Sequence, residues 1–113
     1  MRCENLDVWK RSCRLSVEVY KYFAHCKDYG FKDQITRSSL SIGSNLAEGM
    51  EKDSDKEKLR YIEIAKGSGA ELITQIYIGI EIGYIDKSVG MIWITELKGI
   101  LKMLGGLKKN YGN

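Results

Sequence analysis

The amino-acid sequence predicts an all-α protein, an antiparallel up-down-up-down four-helix bundle. Four stretches carry apolar residues at helical spacing, none alternates as a strand would, and the chain contains no proline. Short charged or glycine-containing turns separate the four stretches, and short turns place consecutive helices antiparallel. A chain of 113 residues has the length of one domain, so we expect a single bundle over 1–113.

The first helix is predicted from about residue 5 to residue 27. At about 100° per residue, its apolar residues form two stripes on nearly opposite sides. One stripe consists of Leu6, Trp9, Cys13, Val17 and Tyr20, and the other of Val8, Leu15, Val19, Tyr22 and Cys26. A bundle helix needs only one core-facing stripe. We therefore expect the second stripe to form a subunit interface, at Val8, Leu15, Val19 and Tyr22. The alternative is a first helix wedged centrally within a monomer.

The second helix is predicted to begin at a cap on Asp33, after Gly30 interrupts the first pattern, and to end near Gly49. The third is predicted over about 55–82, with Ser54 or Asp55 as its cap. Polar and small residues stand on the facing sides of both helices, where a simple bundle would place leucines. This pattern predicts close approach of the two helices and hydrogen bonds between them.

The polar residues of this hairpin form one candidate network. Its members are Arg37, Ser41, Asn45, Glu48, Lys66, Ser68 and Glu71. An antiparallel register would bring Arg37 near Glu71. The structural interpretation is a satisfied network that fixes helix register, because a buried polar group without a partner costs about 1 to 3 kcal/mol. The functional interpretation is that some of these groups line a nucleic-acid surface or a buried small-molecule site.

The fourth helix is predicted from a cap at Ser88 to about residue 107, with Gly105 and Gly106 fraying its end. Its core stripe consists of Val89, Trp93, Leu97, Ile100, Leu104 and Leu107. On the opposite face the spacing aligns three lysines, Lys98, Lys102 and Lys109.

Positive charge is concentrated near the carboxyl end of the chain. The net charge is +3, and residues 87–113 carry five lysines against one acidic residue, Glu96. Such an asymmetry favours a polyanionic partner, RNA or DNA. Three further basic residues on the first helix extend this candidate surface: Lys10, Arg11 and Arg14. The alternative is an ordinary solvated helix face, with the last lysines favouring the carboxyl-terminal dipole.

Catalysis finds little support in the sequence. His25 is the only histidine, and its neighbour Cys26 projects about 100° away on a helix. The three cysteines lack a Cys-x-x-Cys pair, so we expect neither a disulfide framework nor a metal site. No apolar run is long enough to cross a membrane. We therefore expect a cytoplasmic protein without a cofactor, a metal or a membrane partner.

Two segments of the hairpin resemble a known family. They are the run 41–49, Ser-Ile-Gly-Ser-Asn-Leu-Ala-Glu-Gly, and the run 65–68, Ala-Lys-Gly-Ser, with Glu71 and Leu72. With Asp33, Gln34, Ile35 and Arg37, they are similar to the four-helix-bundle proteins encoded in intervening sequences of bacterial 23S ribosomal RNA genes. The chain departs from that pattern at Thr36, Gly43 and Lys66, where the family commonly has arginine, proline and arginine.

The resemblance implies a small helical bundle without an assigned enzymatic activity. Relatives are similar to homopentameric barrels, including the accessory protein of diversity-generating retroelements, which works with a reverse transcriptase and nucleic acid. We therefore expect a non-enzymatic homo-oligomer, a pentamer by resemblance, that binds structured RNA or DNA through repeated basic residues. The alternative is a protein adaptor or scaffold that docks a partner such as a polymerase.

Overall fold

A computed structural model describes residues 1–112 of the chain. Four α-helices follow one another: α1 (Asp7–Tyr22), α2 (Tyr29–Met50), α3 (Asp55–Glu81) and α4 (Lys87–Lys109). No β-strand occurs among the described residues, and the helices pack into one bundle of 43 × 21 × 21 Å. The prediction of an all-α four-helix bundle is confirmed.

Capping side chains determine where α2 and α3 begin. The Asp28 carboxylate accepts a hydrogen bond from the Phe31 backbone N–H at 3.1 Å. For this reason α2 begins earlier than the sequence predicted, and Gly30 lies within its first turn. The Ser54 hydroxyl accepts a hydrogen bond from the Glu57 N–H at 3.1 Å, so the predicted cap of the third helix is confirmed.

Gly83 ends α3 in a left-handed conformation. Its φ angle is +81°, which side chains with a Cβ rarely adopt. Its N–H donates to the Ile80 carbonyl at 3.1 Å, and the Tyr84 N–H donates to the Gly79 carbonyl at 2.8 Å. These two bonds satisfy carbonyls at the helix end and form a Schellman motif. The chain then turns sharply into α4.

Hydrogen bonds between α2 and α3 show that the two helices are antiparallel. As residue numbers rise along α2, those of their partners fall along α3. The pairs are Ser38 with Glu71, Ser41 with Ser68, and Glu48 with Tyr61. Around the bundle, α1 packs on α2 and α4, α3 also packs on α2 and α4, and α1 and α3 occupy opposite corners.

A single apolar core extends along the bundle. The α4 stripe predicted from the sequence supplies Trp93, Leu97, Ile100 and Leu104, all at most 3% exposed. From α3 the buried residues include Ile62, Leu72 and Ile76, each 0% exposed. Burial of each large apolar side chain contributes about 1.5 to 3 kcal/mol, so this stripe is a principal source of stability.

The α1 stripe that was predicted to form a subunit interface is instead buried within the bundle. Val8, Leu15 and Val19 are 4%, 2% and 0% exposed, so they belong to the chain's own core and cannot form the predicted subunit interface. Tyr22 remains partly exposed, but its ring packs edge-on against Trp93 at a centroid distance of 5.1 Å.

Two small serines explain why α1 is rotated in this way. Ser12 and Ser16 are buried on the side of α1 that faces α2. The Ser12 hydroxyl donates to the Val8 carbonyl at 2.7 Å, and the Ser16 hydroxyl lies 3.1 Å from that of Ser39. Because their hydroxyls have partners, these residues can be buried and let α1 approach α2 closely. The large residues of the other stripe, Trp9, Cys13, Val17 and Tyr20, are then partly or largely exposed.

Candidate nucleic-acid interface

Lysines from two helices surround one cleft on the surface of the bundle. We call this cleft the lysine cleft. The lysines that line it are Lys66 of α3 and Lys102, Lys108 and Lys109 of α4. The cleft has a volume of about 540 Å³. Of the lysines predicted from the sequence, Lys102 and Lys109 thus lie together. Lys98 is exposed about one turn earlier on the same side of α4, outside the lining of the cleft.

One carboxylate holds two of these lysines in place. Lys108 Nζ lies 2.7 Å from Glu63 Oε1, and Lys66 Nζ lies 3.6 Å from the same oxygen. The hydrogen bond from Lys108, with the charge of Lys66, holds the pKa of Glu63 below its ordinary value. Glu63 therefore remains ionised near neutral pH and neutralises one of four positive charges. Among residues 1–112, no ion pair engages Lys102 or Lys109.

Two consecutive glycines form part of the cleft. The sequence predicted that Gly105 and Gly106 would fray α4, but the helix continues through them to Lys109. A Cβ added at either position would meet no atom within 4 Å, so packing inside the chain does not require glycine there. Each glycine costs about 1 kcal/mol relative to alanine in a helix. The backbone is left bare between lysines, which allows close approach of a ligand.

Arg11 is engaged in a contact within the bundle. Its Nε and Nη2 donate to the two Glu96 carboxylate oxygens at 2.8 and 2.7 Å. Its Nη1 lies 3.1 Å from the Met103 sulfur, and its guanidinium occupies the space that a side chain at Gly99 would need. This bidentate pair joins α1 to α4. The geometry therefore does not support the prediction that Arg11 binds phosphate.

The pairing with Arg11 makes stability depend on pH. Hydrogen bonds from Arg11 hold the pKa of Glu96 below its ordinary value near 4.5. The stabilisation is thus present above pH 4.5 and is lost as the pH falls through the lower pKa of the folded state. We expect Glu96→Gln to lower the free energy of unfolding by about 1 kcal/mol at pH 7, because the pair is one-third exposed. The difference from wild type should shrink below pH 4.5.

Chemical denaturation at pH 7, 5, 4 and 3 measures this difference. Glu18→Gln is the matched control. Glu18 lies on the same side of α1 as Arg11, but among the described residues it forms no ion pair. A constant difference between wild type and Glu96→Gln at all four pH values would contradict the role given to the carboxylate.

Lys10 and Arg14 do not extend the lysine cleft. Both are exposed on α1. Arg14 lines a small depression with Glu18 and Glu96 at the α1–α4 contact, whereas the lysine cleft lies at the α3–α4 contact. The basic residues that the sequence predicted to form one surface therefore lie in two groups, on opposite flanks of α4.

The polar residues between α2 and α3 form helix-to-helix hydrogen bonds. The hydroxyls of Ser41 and Ser68 lie 2.9 Å apart, and Asn45 donates to the Ser41 hydroxyl at 2.8 Å and to its carbonyl at 2.9 Å. At one end of this row the Tyr61 hydroxyl donates to Glu48 at 2.8 Å. The predicted polar contacts between the two helices are thus present. Ser41, Asn45 and Ser68 satisfy one another's hydrogen-bonding groups, which favours a structural role over a small-molecule site.

Two members of the predicted network have other partners. Arg37 pairs with Asp33 at 2.9 Å, one turn away on its own helix, and not with Glu71 as predicted. Glu71 instead accepts a hydrogen bond from Ser38 at 2.9 Å. A long side chain on an exposed face finds a partner four residues away more readily than one across a helix interface. Lys66 belongs to the lysine cleft, not to the polar row.

An apolar groove between α1 and α2 was not predicted. Its volume is about 590 Å³, and its lining includes Trp9, Cys13, Val17, Tyr20, Leu40 and Ala47. Val17 and Leu40 are each about half exposed, at 52% and 51%. The sequence signal was the presence of two apolar stripes on α1, but the stripe of Trp9, Cys13, Val17 and Tyr20, which lines the groove, was not the one predicted to lie outside the core.

The candidate reactive side chains His25 and Cys26 lie just after the end of α1. The Cys26 thiol lies 3.8 Å from the Asp28 carbonyl, and His25 is exposed after the end of α1. Within residues 1–112, no three His, Cys, Asp or Glu side chains are placed to hold a metal ion. In the same part of the chain, no helix is both long enough and apolar enough to cross a membrane.

The fold and the site define a class: a small antiparallel four-helix bundle with a lysine-lined cleft and a row of hydrogen bonds joining its central helices. Over residues 4–106 the chain matches the family described as 23S rRNA-intervening sequence protein, and it belongs to that family. The resemblance noted in the run 41–49 and around Glu71 is thereby confirmed.

A crystal structure from Bacteroides thetaiotaomicron has a similar fold. It is described as a protein with unknown function from the S23 ribosomal protein family. The two chains are 24% identical, the TM-score is 0.84, and the match covers 90% of this chain and 98% of the other. At this identity the likeness shows the fold alone. A comparison with curated proteins finds no match.

Proposed function

We propose that this protein is a non-enzymatic, homo-oligomeric four-helix bundle that binds the phosphate backbone of structured RNA or DNA. The observation that carries the proposal is the lysine cleft, in which four ammonium groups from two helices surround bare helix backbone. One carboxylate, Glu63, offsets part of that charge. Phosphates spaced along a nucleic-acid backbone are suitable partners for such a group of lysines.

The chemistry of lysine limits what kind of recognition occurs. An ammonium group supplies a compact charge on a flexible stem, whereas base-edge readout favours the planar donors of arginine or the amides of asparagine and glutamine. The cleft contains no arginine. We therefore expect binding that depends on phosphate position and nucleic-acid shape more than on base sequence.

Assembly would multiply the effect of a single cleft. One cleft offers few phosphate contacts, and several clefts on one rigid particle would bind a long nucleic acid with a much higher effective concentration. Relatives that the chain resembles suggest a pentameric ring. Repetition of the cleft around such a ring is the reason to join oligomerisation and nucleic-acid binding in one proposal.

Fluorescence anisotropy with a structured RNA and a matched duplex DNA tests the proposal. If about three phosphates are neutralised, the affinity for duplex DNA should fall about 40-fold between 50 and 200 mM salt, and more steeply if several subunits make contact. A peptide nucleic acid of the same sequence, whose backbone carries no charge, should not bind. Absence of binding to RNA and DNA at 50 mM salt would contradict the proposal.

The apolar groove favours a second candidate function, a protein adaptor that docks a partner such as a polymerase. Exposed apolar surface of this kind commonly marks a protein interaction site. Salt distinguishes the candidates, because docking on the groove between Trp9 and Leu40 should be little affected by salt, whereas phosphate binding weakens steeply.

A further inference from the structure

The apolar groove has the shape and the length of a helix-binding site. From Trp9 to Tyr20 its α1 wall extends over 11 residues, or about 17 Å of helix. On both walls the lining residues return every three to four positions, as they do where a helix lies along the groove. Lys21 lines one end of the groove and is exposed, and no ion pair engages it within the described part of the chain.

The opposite corner of the bundle carries a helix face with complementary properties. Along the outward face of α3 the side chains are mostly small or apolar, and the last residue of the face is acidic. They are Gly67, Ala70, Thr74, Tyr77, Ile78 and Glu81, and all are exposed. Tyr77 and Ile78 are 46% and 48% exposed. Between residues 67 and 86 there is no lysine or arginine, although there are three acidic residues.

Gly67 is otherwise unexplained. It is not one of the small residues at the contact with α2, since a Cβ added there would meet nothing within 4 Å. A glycine in the middle of a helix costs about 1 kcal/mol relative to alanine. Close approach of another helix to this outward face would give the glycine a packing role.

The groove and the α3 face lie at the same height along the bundle. A Cβ added to Gly43 would lie 3.5 Å from the Cys13 sulfur, and one added to Gly69 would lie 3.9 Å from Ile42 Cδ1, so Cys13 and Gly69 are at about one level. At the other end, Phe31 lies against both Phe23 and Gly79. Helices α1 and α3 therefore run parallel, and neither is shifted along the bundle axis relative to the other. A rotation about an axis parallel to the bundle would bring the α3 face of one copy beside the groove of another.

We propose that the apolar groove between α1 and α2 receives the outward face of α3 from a second copy of this chain. This inference rests on the homo-oligomer of the proposed function and identifies its contact surfaces. Because the groove and the α3 face are different surfaces on different sides of the bundle, each copy binds one neighbour through its groove and another neighbour through its α3 face. Such heterologous contacts continue from copy to copy and close into a ring when the rotation permits.

Charge supports a second copy as the occupant. The groove presents Lys21 at its end, while the neighbouring flank of α1 carries Lys10 and Arg14 together with Asp7 and Glu18, whose charges offset one another. The α3 face presents Glu81. In the parallel arrangement Lys21 lies level with Tyr77, so Glu81 is about 6 Å farther along the axis, within reach of two long side chains. Opposite charges at the rim fix the register of an apolar contact.

Cysteine cross-linking tests this contact directly. Cys13 lies in the groove, and Ala70 is the outward neighbour of Gly69 on the matching level. In a Cys26→Ser background, oxidation of Ala70→Cys should join copies through Cys13 and give a ladder of dimers, trimers and larger products on a denaturing gel. A bond within one chain is excluded because α1 and α3 do not touch. Burial raises the pKa of the Cys13 thiol, so oxidation is carried out at alkaline pH.

Thr95→Cys in the same background is the control, since Thr95 is an exposed residue of α4. It should give no ladder through Cys13. Products that stop at the dimer would overturn the head-to-tail arrangement. Absence of cross-linking in Ala70→Cys, when light scattering shows an assembled protein with wild-type helicity, would place the interface elsewhere and overturn the proposal.

Charge exchange provides an independent test. We expect Lys21→Glu or Glu81→Lys alone to raise the dissociation constant of the assembly about 10-fold at low salt, and the double variant to recover most of that loss. Lys87→Glu, with the same change in charge, should have no effect. If the double variant is no better than the singles, the contact is wrong. If the wild-type chain is monomeric at all concentrations, the contact and the oligomer both fail, while anisotropy still decides nucleic-acid binding.

Discussion

Reversal of charge at Lys98, Lys102 and Lys109 together should lower the affinity for structured RNA and duplex DNA by about 100-fold or more at 150 mM salt. Two of these lysines lie in the cleft with no ion pair among residues 1–112, and the third lies one turn away on the same face of α4. Each substitution removes an attraction to phosphate and adds a repulsion. The dependence of log affinity on log salt should become shallower by about 3.

A matched triple variant separates the site from net charge. Lys27, Lys56 and Lys87 are exposed, and the last two lie in the first turns of α3 and α4. Their replacement by Glu changes the net charge by the same amount and is favourable near helix amino ends. This control should keep most of the affinity. An equal loss in both triple variants would mean that overall charge, and not the lysine cleft, determines binding.

The elements that the sequence predicted well depend on large apolar residues at regular spacing or on local caps. The α4 stripe of Trp93, Leu97 and Ile100 is of this kind, because its three- and four-residue intervals leave one choice of face. The cap at Ser54 is another, because its bond to the Glu57 N–H involves only neighbouring residues. Both features are fixed by local geometry.

The orientation of α1 could not be predicted from apolar periodicity alone. Both of its stripes are apolar, and the choice between them depends on Ser12 and Ser16, which become buried only when their hydroxyls find Val8 and Ser39 as partners. A pattern that counts large apolar residues gives these serines no weight. The apolar groove was missed for the same reason.

The lysine cleft was only partly predictable because it combines residues from two helices. The spacing on α4 aligned Lys102 with Lys109. The contribution of Lys66 and the pairing of Lys108 with Glu63 depend on the register between α3 and α4, which is set by packing along the whole bundle. Arg11 shows the opposite error, since a basic residue counted as available for phosphate is held by Glu96.

A close contact between α2 and α3 predicts the second large effect. Gly49, in the last turn of α2, lies against Tyr61 of α3, and a Cβ added to Gly49 would overlap Tyr61 Cβ and lie 3.3 Å from its Cγ. The overlap is with an atom attached directly to the backbone, so a rotamer change cannot relieve it and the helices must move apart. We expect Gly49→Ala to lower the free energy of unfolding by about 2 to 3 kcal/mol.

Denaturation by urea and by heat measures this change, with an expected fall in Tm of about 10 °C. Gly106→Ala is the control, because it adds a Cβ in open space and should stabilise the helix by about 0.5 to 1 kcal/mol. Truncation by Tyr61→Ala keeps the overlapping Cβ, so it should not rescue Gly49→Ala. Rescue by that truncation would show that the ring of Tyr61, and not the approach of the two backbones, is what requires glycine at this position.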